Sequence, residues 1–222
     1  MKSFRSPKQN QALTLLEVLI VLAVIAMILM FLVVPALSHA KARSIRICCV
    51  NSLKQTGLAF NVWSGDNSEN FPMALPGTNG GTKEFTSGPN AWRHFQVMSN
   101  ELSTPRIILC PAEPPELNAG TNFTDINNSN LSYFVGIDAN KANRLMILAG
   151  DRNIMNGAAP QNDLLELTAN RPTSWTAEMH NKVGNVVLAD ASVQQVSISG
   201  VRDLVAKTGF TTNRVQLPIR GP

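Results

Sequence analysis

His180 and Asp190, with nine residues between them, are of the types that serve acid–base or hydrolytic chemistry. Such chemistry needs a nucleophile, a base and an orienting carboxylate within hydrogen-bond reach, and no serine here stands in a recognisable nucleophile motif. The expectation is therefore structural: Asp190 shapes a turn and His180 bonds to backbone across it. Cys48, Cys49 and Cys110 make an odd set without the C-x-x-C spacing of zinc or redox motifs. Glu17 stands apart, as the one charge in an apolar stretch covering residues 11–37. A carboxylate inside a bilayer costs several kcal/mol on insertion scales, so such a residue usually has a function and a partner.

The element holding Glu17 is a helix. Residues 18–34 carry no polar side chain, and the segment 13–37 is 25 residues long. At 1.5 Å per residue it would extend roughly 37 Å, enough to cross a hydrocarbon core of about 30 Å. Of the net charge of +4, three positive charges, Lys2, Arg5 and Lys8, precede this segment. The remainder is close to neutral, which removes the case for nucleic-acid binding. Ser38-His39-Ala40 resembles a signal-peptidase site, but the apolar core is too long for a signal peptide and begins with an acid. Lys41, Arg43 and Arg46 balance the leader's cations, so the positive-inside rule leaves orientation open.

Beyond Pro35, which should kink the rod, Ile45, Cys49, Leu53, Thr56, Phe60 and Trp63 recur at steps of three and four and predict one buried helical stripe. Cys49 lies on that stripe. Cys110 closes a predicted strand over 106–110, just before Pro111, so a Cys49–Cys110 bridge would staple helix to sheet and contribute about 2–4 kcal/mol in an oxidising compartment. A buried pair of thiols is the alternative. Gly- and Pro-rich residues 64–90 read as a long loop, and 91–102 as a short helix. The runs 131–137, 145–149, 185–189 and 193–198 read as strands of an antiparallel sheet, the last two forming a hairpin about Asp190, Ala191 and Ser192. The fold class is α+β.

The run Ala12-Leu13-Thr14-Leu15-Leu16-Glu17, after a short basic leader and before an unbroken apolar helix, resembles the cleavage and methylation signature of type IV prepilins and type II secretion pseudopilins. The resemblance implies cleavage between Ala12 and Leu13 by prepilin peptidase and N-methylation at Leu13. It also implies pairing of Glu17 with the N-terminal amine of a neighbouring subunit during assembly. Ala12 and Leu13 depart from the usual Gly and Phe. A local role for Glu17, reaching lipid headgroups, is the plainer alternative.

A second resemblance covers more of the chain. His180 and Asp190 look like the H-x9-DG element of pseudopilin-like proteins expanded in planctomycete and verrucomicrobial bacteria, as do Cys49-Val50-Asn51-Ser52-Leu53-Lys54-Gln55, Leu109-Cys110-Pro111 and Gly150-Asp151-Arg152-Asn153. Ala191 replaces the motif's Gly; an alanine in the left-handed region costs around 1 kcal/mol, which predicts a turn longer than two residues.

Together the resemblances imply a pilin-like α+β fold, a long N-terminal helix packed on a C-terminal antiparallel sheet. Its parts would be a leader (1–12), a transmembrane helix (13–37), an amphipathic continuation (38–64) and a globular domain (65–222). They imply a non-catalytic subunit whose partners are other pilin or pseudopilin subunits, prepilin peptidase, an inner-membrane assembly platform and membrane lipid, with the C-terminal domain in the periplasm or on a surface fibre. Some pseudopilins hold calcium with loop oxygens, and Asp138, Asp151 and Asp190 are weak candidates at predicted strand ends; solvated turn carboxylates are the competing reading and no cofactor is expected. The alternative function class is a membrane-tethered module that binds a polysaccharide, with Trp63, Trp92, Trp175 and Tyr133 stacking on sugars.

Overall fold

The computed structural model describes residues 14–114, 117, 119–168 and 171–220. It contains two compact units, divided after Ser44. Helix α1 (Leu15–Asp66) contributes residues to both.

In the first unit, the 19 residues Leu15–Val33 have a mean hydropathy of 3.1 and none is buried. Side chains such as Leu15, Met30 and Phe31 are more than two-thirds exposed. An apolar helix of this length, roughly 28 Å at 1.5 Å per residue, matches a bilayer's hydrocarbon core and fits a membrane anchor. The helix continues through Pro35.

In the second unit the predicted stripe is buried: Cys49, Leu53, Thr56, Phe60 and Trp63 are inside, and Ile45 is half-buried. After α1 come three single 3-10 turns, Pro72–Ala74, Gly77–Asn79 and Lys83–Phe85. Phe71, Met73 and Thr82 are buried among them, so the Gly- and Pro-rich segment wraps the core. The helix expected over 91–102 is two, α2 (Ala91–Gln96) and α3 (Ser99–Leu102). The strand expected over 106–110 is instead a 3-10 turn, Pro105–Ile108. Pro105 sits in its first turn, where a missing N–H costs nothing.

The main sheet contains β1 (Tyr133–Gly136), β2 (Ile147–Asp151), β4 (Leu164–Leu167), β6 (Gly184–Leu188), β7 (Val193–Val196) and β8 (Asn213–Gln216), while β3 (Ile154–Met155) and β5 (Ser174–Trp175) pair separately. Its order is β4-β8-β1-β2-β6-β7, with antiparallel neighbours throughout. Alternate residues face two cores. Tyr133, Val135, Leu148 and Val187 join Leu53, Phe60 and Phe95 in one. Phe134, Ile147, Val186, Leu188 and Val215 join Trp175 and α4 (Ile198–Lys207), through Val201, Leu204 and Val205, in the other. A sheet covered on both faces needs continuous apolar strands, and β1, β2 and β6 are buried throughout. The strand expected over 193–198 stops at Val196, because the Ser197 hydroxyl accepts the Gly200 N–H and starts α4.

Candidate functional site

Thr14 opens α1 at the membrane-anchor end. Its hydroxyl accepts the Glu17 backbone N–H at 3.3 Å. Thr14-Leu15-Leu16-Glu17 therefore has the Thr-x-x-Glu pattern of a capping box, with Glu17 in the first turn, where the helix dipole favours an anion. Ala12 and Leu13, the expected cleavage and methylation positions, lie outside the described residues.

In the second unit, α1 brings Cys49 to Cys110, and the two are joined as a disulfide with Cα atoms 5.3 Å apart and a sequence separation of 61. A loop of that length gives an unfolded-state entropy contribution of about 4 kcal/mol. Two hydrogen bonds hold the Cys110 segment beside β1 without a ladder: Ser132 N–H to the Ile108 carbonyl at 3.0 Å, and Cys110 N–H to Ser132 Oγ at 2.9 Å. Cys48 is free and exposed.

His180 packs against this disulfide. Its Nε2 lies 3.5 Å from Cys110 Sγ and 3.5 Å from Asp151 Oδ2. Arg46 donates to the His180 carbonyl at 3.3 Å. Burial, and secondarily the Arg46 charge, pushes the imidazole down to about 4. Burial pushes Asp151 up to about 7, although its Oδ2 accepts the Asn185 N–H at 2.7 Å and the Asn185 amide at 2.8 Å. The expected bond from His180 across the Asp190 turn is not made: β6 lies between the two residues, leaving His180 before its start and Asp190 beyond its end. The motif thus marks both ends of one central strand.

Asp190 does shape the hairpin, its Oδ1 accepting the Ser192 N–H at 2.9 Å. The Ser192 hydrogen bonds, ahead of burial and more distant cations, hold its carboxyl below the ordinary value. The turn is the longer kind expected: Leu188 N–H bonds the Ser192 carbonyl at 2.9 Å and Ala191 N–H the Leu188 carbonyl at 2.8 Å, closing a loop of Ala189, Asp190 and Ala191. Ala191 nonetheless has φ 61°, the left-handed region where glycine is favoured. Helix α1 grips this tip. Lys54 Nζ donates to the Ala191 carbonyl at 2.7 Å and Asn61 Nδ2 to the Ala189 carbonyl at 3.2 Å. At Gly57 an added Cβ would stand 2.5 Å from Val187 Cγ2 and 3.2 Å from Ala191 Cα, so glycine permits the close approach.

The three aspartates are not gathered into one cation site. Asp138 pairs with Arg214, Asp151 with Asn185, and Asp190 with the Ser192 backbone. They stand on separate turns and strands, which is the physical reason no shared cage forms. Nor do the aromatics form a sugar platform. Trp63, Tyr133 and Trp175 are core residues, and Trp92 stacks under the Arg93 guanidinium at 3.9 Å.

Two buried polar clusters join residues far apart in sequence, and of their members only Arg152 lies in a motif, Gly150-Asp151-Arg152-Asn153. Glu113 accepts Arg152 Nε at 2.7 Å and Arg220 at 3.0 Å. Burial alone would raise this carboxyl, but the two guanidiniums outweigh it and hold it below its ordinary value. His94 Nε2 meets Gln216 Oε1 at 2.8 Å, and its Nδ1 meets Thr82 Oγ1 at 2.6 Å. Gln216 Nε2 is spent on the Phe85 and Gly88 carbonyls, so Oε1 accepts and His94 is the neutral Nε2–H tautomer. Burial pushes it down to about 4.

Residues 7–33 match the prokaryotic N-terminal methylation motif. The chain thus carries a prepilin-type methylation motif on an apolar N-terminal helix, followed by an α+β, pilin-like architecture, a combination consistent with a prepilin- or pseudopilin-like protein. No curated protein and no solved structure matches it.

Proposed function

We propose that the protein is a structural, non-catalytic pilin or pseudopilin subunit. Prepilin peptidase cuts it between Ala12 and Leu13 and methylates Leu13, and the mature chain assembles from the inner membrane into a pseudopilus or pilus-like fibre with its sheet domain outside the cytoplasm. The observation that carries this reading is the methylation motif over residues 7–33, with Glu17 alone among apolar residues. The Cys49–Cys110 disulfide supports an oxidising compartment for the second unit.

Intact mass of the protein isolated from membranes tests the processing step. Cleavage after Ala12 plus one methyl group is expected; cleavage after Ala40 would overturn the reading. Glu17→Gln tests assembly. Glutamine keeps a capping box but removes the charge, so the variant should remain a processed, membrane-bound monomer on sedimentation. Normal polymer from Glu17→Gln would exclude pairing of its carboxylate with a neighbour's amine.

A further inference from the structure

The Cys49, Cys110 and His180 donor atoms all lie within 4.8 Å of one another, and all three residues are buried. They come from α1, from the segment after the Pro105–Ile108 turn, and from the loop before β6. No motif spacing connects them; the fold does. We propose that the two cysteines have a second state, in which the reduced pair and His180 bind one zinc ion.

The geometry is that of a zinc site with three protein ligands, its sulfurs still bonded to each other. Zinc binds thiolate at about 2.3 Å and imidazole at about 2.0 Å in tetrahedral array, which sets neighbouring sulfur and nitrogen atoms about 3.5 Å apart. The Cys110 Sγ to His180 Nε2 separation is 3.5 Å. The sulfurs, once released, need only separate to about 3.8 Å, a side-chain rotation for cysteines whose Cα atoms are 5.3 Å apart. Asp151 Oδ2 lies 3.5 Å from the same imidazole nitrogen but outside the three-residue cluster, and the fourth position falls to a water molecule. Asp151 is fully buried, and its Oδ1 has no hydrogen-bond partner among the described residues. Charge also balances: two thiolates offset the zinc ion, and the half-buried Arg46, which already bonds the His180 backbone, offsets Asp151.

The chemistry is an exchange followed by metal binding. An external dithiol gives two electrons and two protons to the Cys49–Cys110 bond and leaves as its own disulfide. The two thiols then lose their protons as zinc–sulfur bonds form. Entry is through the loop carrying His180. Its neighbours Asn181 and Lys182 are exposed, and both, with Met179, hold positive φ, so a strained surface loop carries the imidazole that touches Cys110. The link between α1 and the sheet then survives reduction, held by metal instead of sulfur–sulfur bonding.

The test uses the full chain in mild detergent with Cys48→Ser, which removes the free thiol. The oxidised protein, and the same protein after reduction and removal of the small dithiol, are titrated with zinc and, in parallel, with cobalt. The reduced chain should bind one zinc per chain and show thiolate-to-cobalt charge-transfer bands of a tetrahedral site, and the oxidised chain neither. His180→Ala and His180→Gln should each weaken zinc binding at least tenfold in the reduced chain while leaving disulfide formation and the far-ultraviolet spectrum of the oxidised chain unchanged. Zinc binding of equal strength in the parent and both His180 variants, or no zinc taken up by the reduced parent, would overturn the proposal.

Discussion

Replacing Asp151 by asparagine should change how stability varies with pH. Burial pushes Asp151 up to about 7 in the folded chain, against an ordinary value of 3.8. Between those values the native state keeps a proton that the unfolded chain has released. Native stability from this group is therefore present at low pH, falls as pH rises through the window, and is gone above about 7. At about 1.4 kcal/mol per pH unit the total is on the order of 4 kcal/mol. His180 and His94 act in the opposite sense. Each is pushed down to about 4 from 6.5, so the native state holds fewer protons between those values and gains stability as pH rises. The wild-type curve mixes these slopes, but its difference from Asp151→Asn isolates the carboxyl. Asparagine retains an oxygen for the Asn185 donors and cannot titrate. Denaturant unfolding of the full chain in mild detergent, followed by the fluorescence of its tryptophans with the disulfide intact, measures the difference. Wild type minus variant should fall by on the order of 4 kcal/mol from pH 4 to pH 7 and level off above about 8. A difference constant within about 1 kcal/mol over that range would refute the account of Asp151 as a carboxyl kept protonated by burial.

Other substitutions follow from the packing, each read as a change in unfolding free energy at fixed pH. Ala191→Gly should stabilise by about 1 kcal/mol, because glycine accepts the left-handed backbone without cost. Gly57→Leu should destabilise by about 1–3 kcal/mol through collision with Val187 and the hairpin tip, despite the better helix propensity of leucine. Glu113→Gln leaves Arg152 and Arg220 without their shared anion in a mostly buried setting, and a loss of about 2–4 kcal/mol is expected. That loss should persist in high salt, since buried pairs are screened little.

Helix α1 and four of the strands were legible because each shows a clear period or apolar run in sequence. The stripe from Cys49 to Trp63 also placed one half of the disulfide. The Pro105–Ile108 turn was misread as a strand because Ile107, Ile108 and Leu109 have β propensity, whereas Pro105 and the bond from Ser132 decide the backbone locally. Strands β4 and β8 leave little signal, since each is only four residues long, neither alternates polar and apolar residues, and they pair with each other across nearly fifty residues. His180 and Asp190 share a motif, which suggests a histidine bonding to backbone across the Asp190 turn. The strand legible over 185–189 lies between them, and its length sets the two residues at opposite ends. The Glu113 and His94 clusters are assembled from residues far apart in the chain, and a lone buried charge or imidazole leaves no local pattern.

The position of β8 has a consequence in time. It is the last strand among the described residues, yet it lies inside the sheet between β4 and β1. A chain emerging from the ribosome or translocon exposes β1 and β4 long before the residues that bridge them exist. The sheet closes late, through contacts spanning much of the domain, which is the topology of slow folders. The processing proposed for the N-terminal segment does not wait on that closure, so it and completion of the domain are separable events on the same chain.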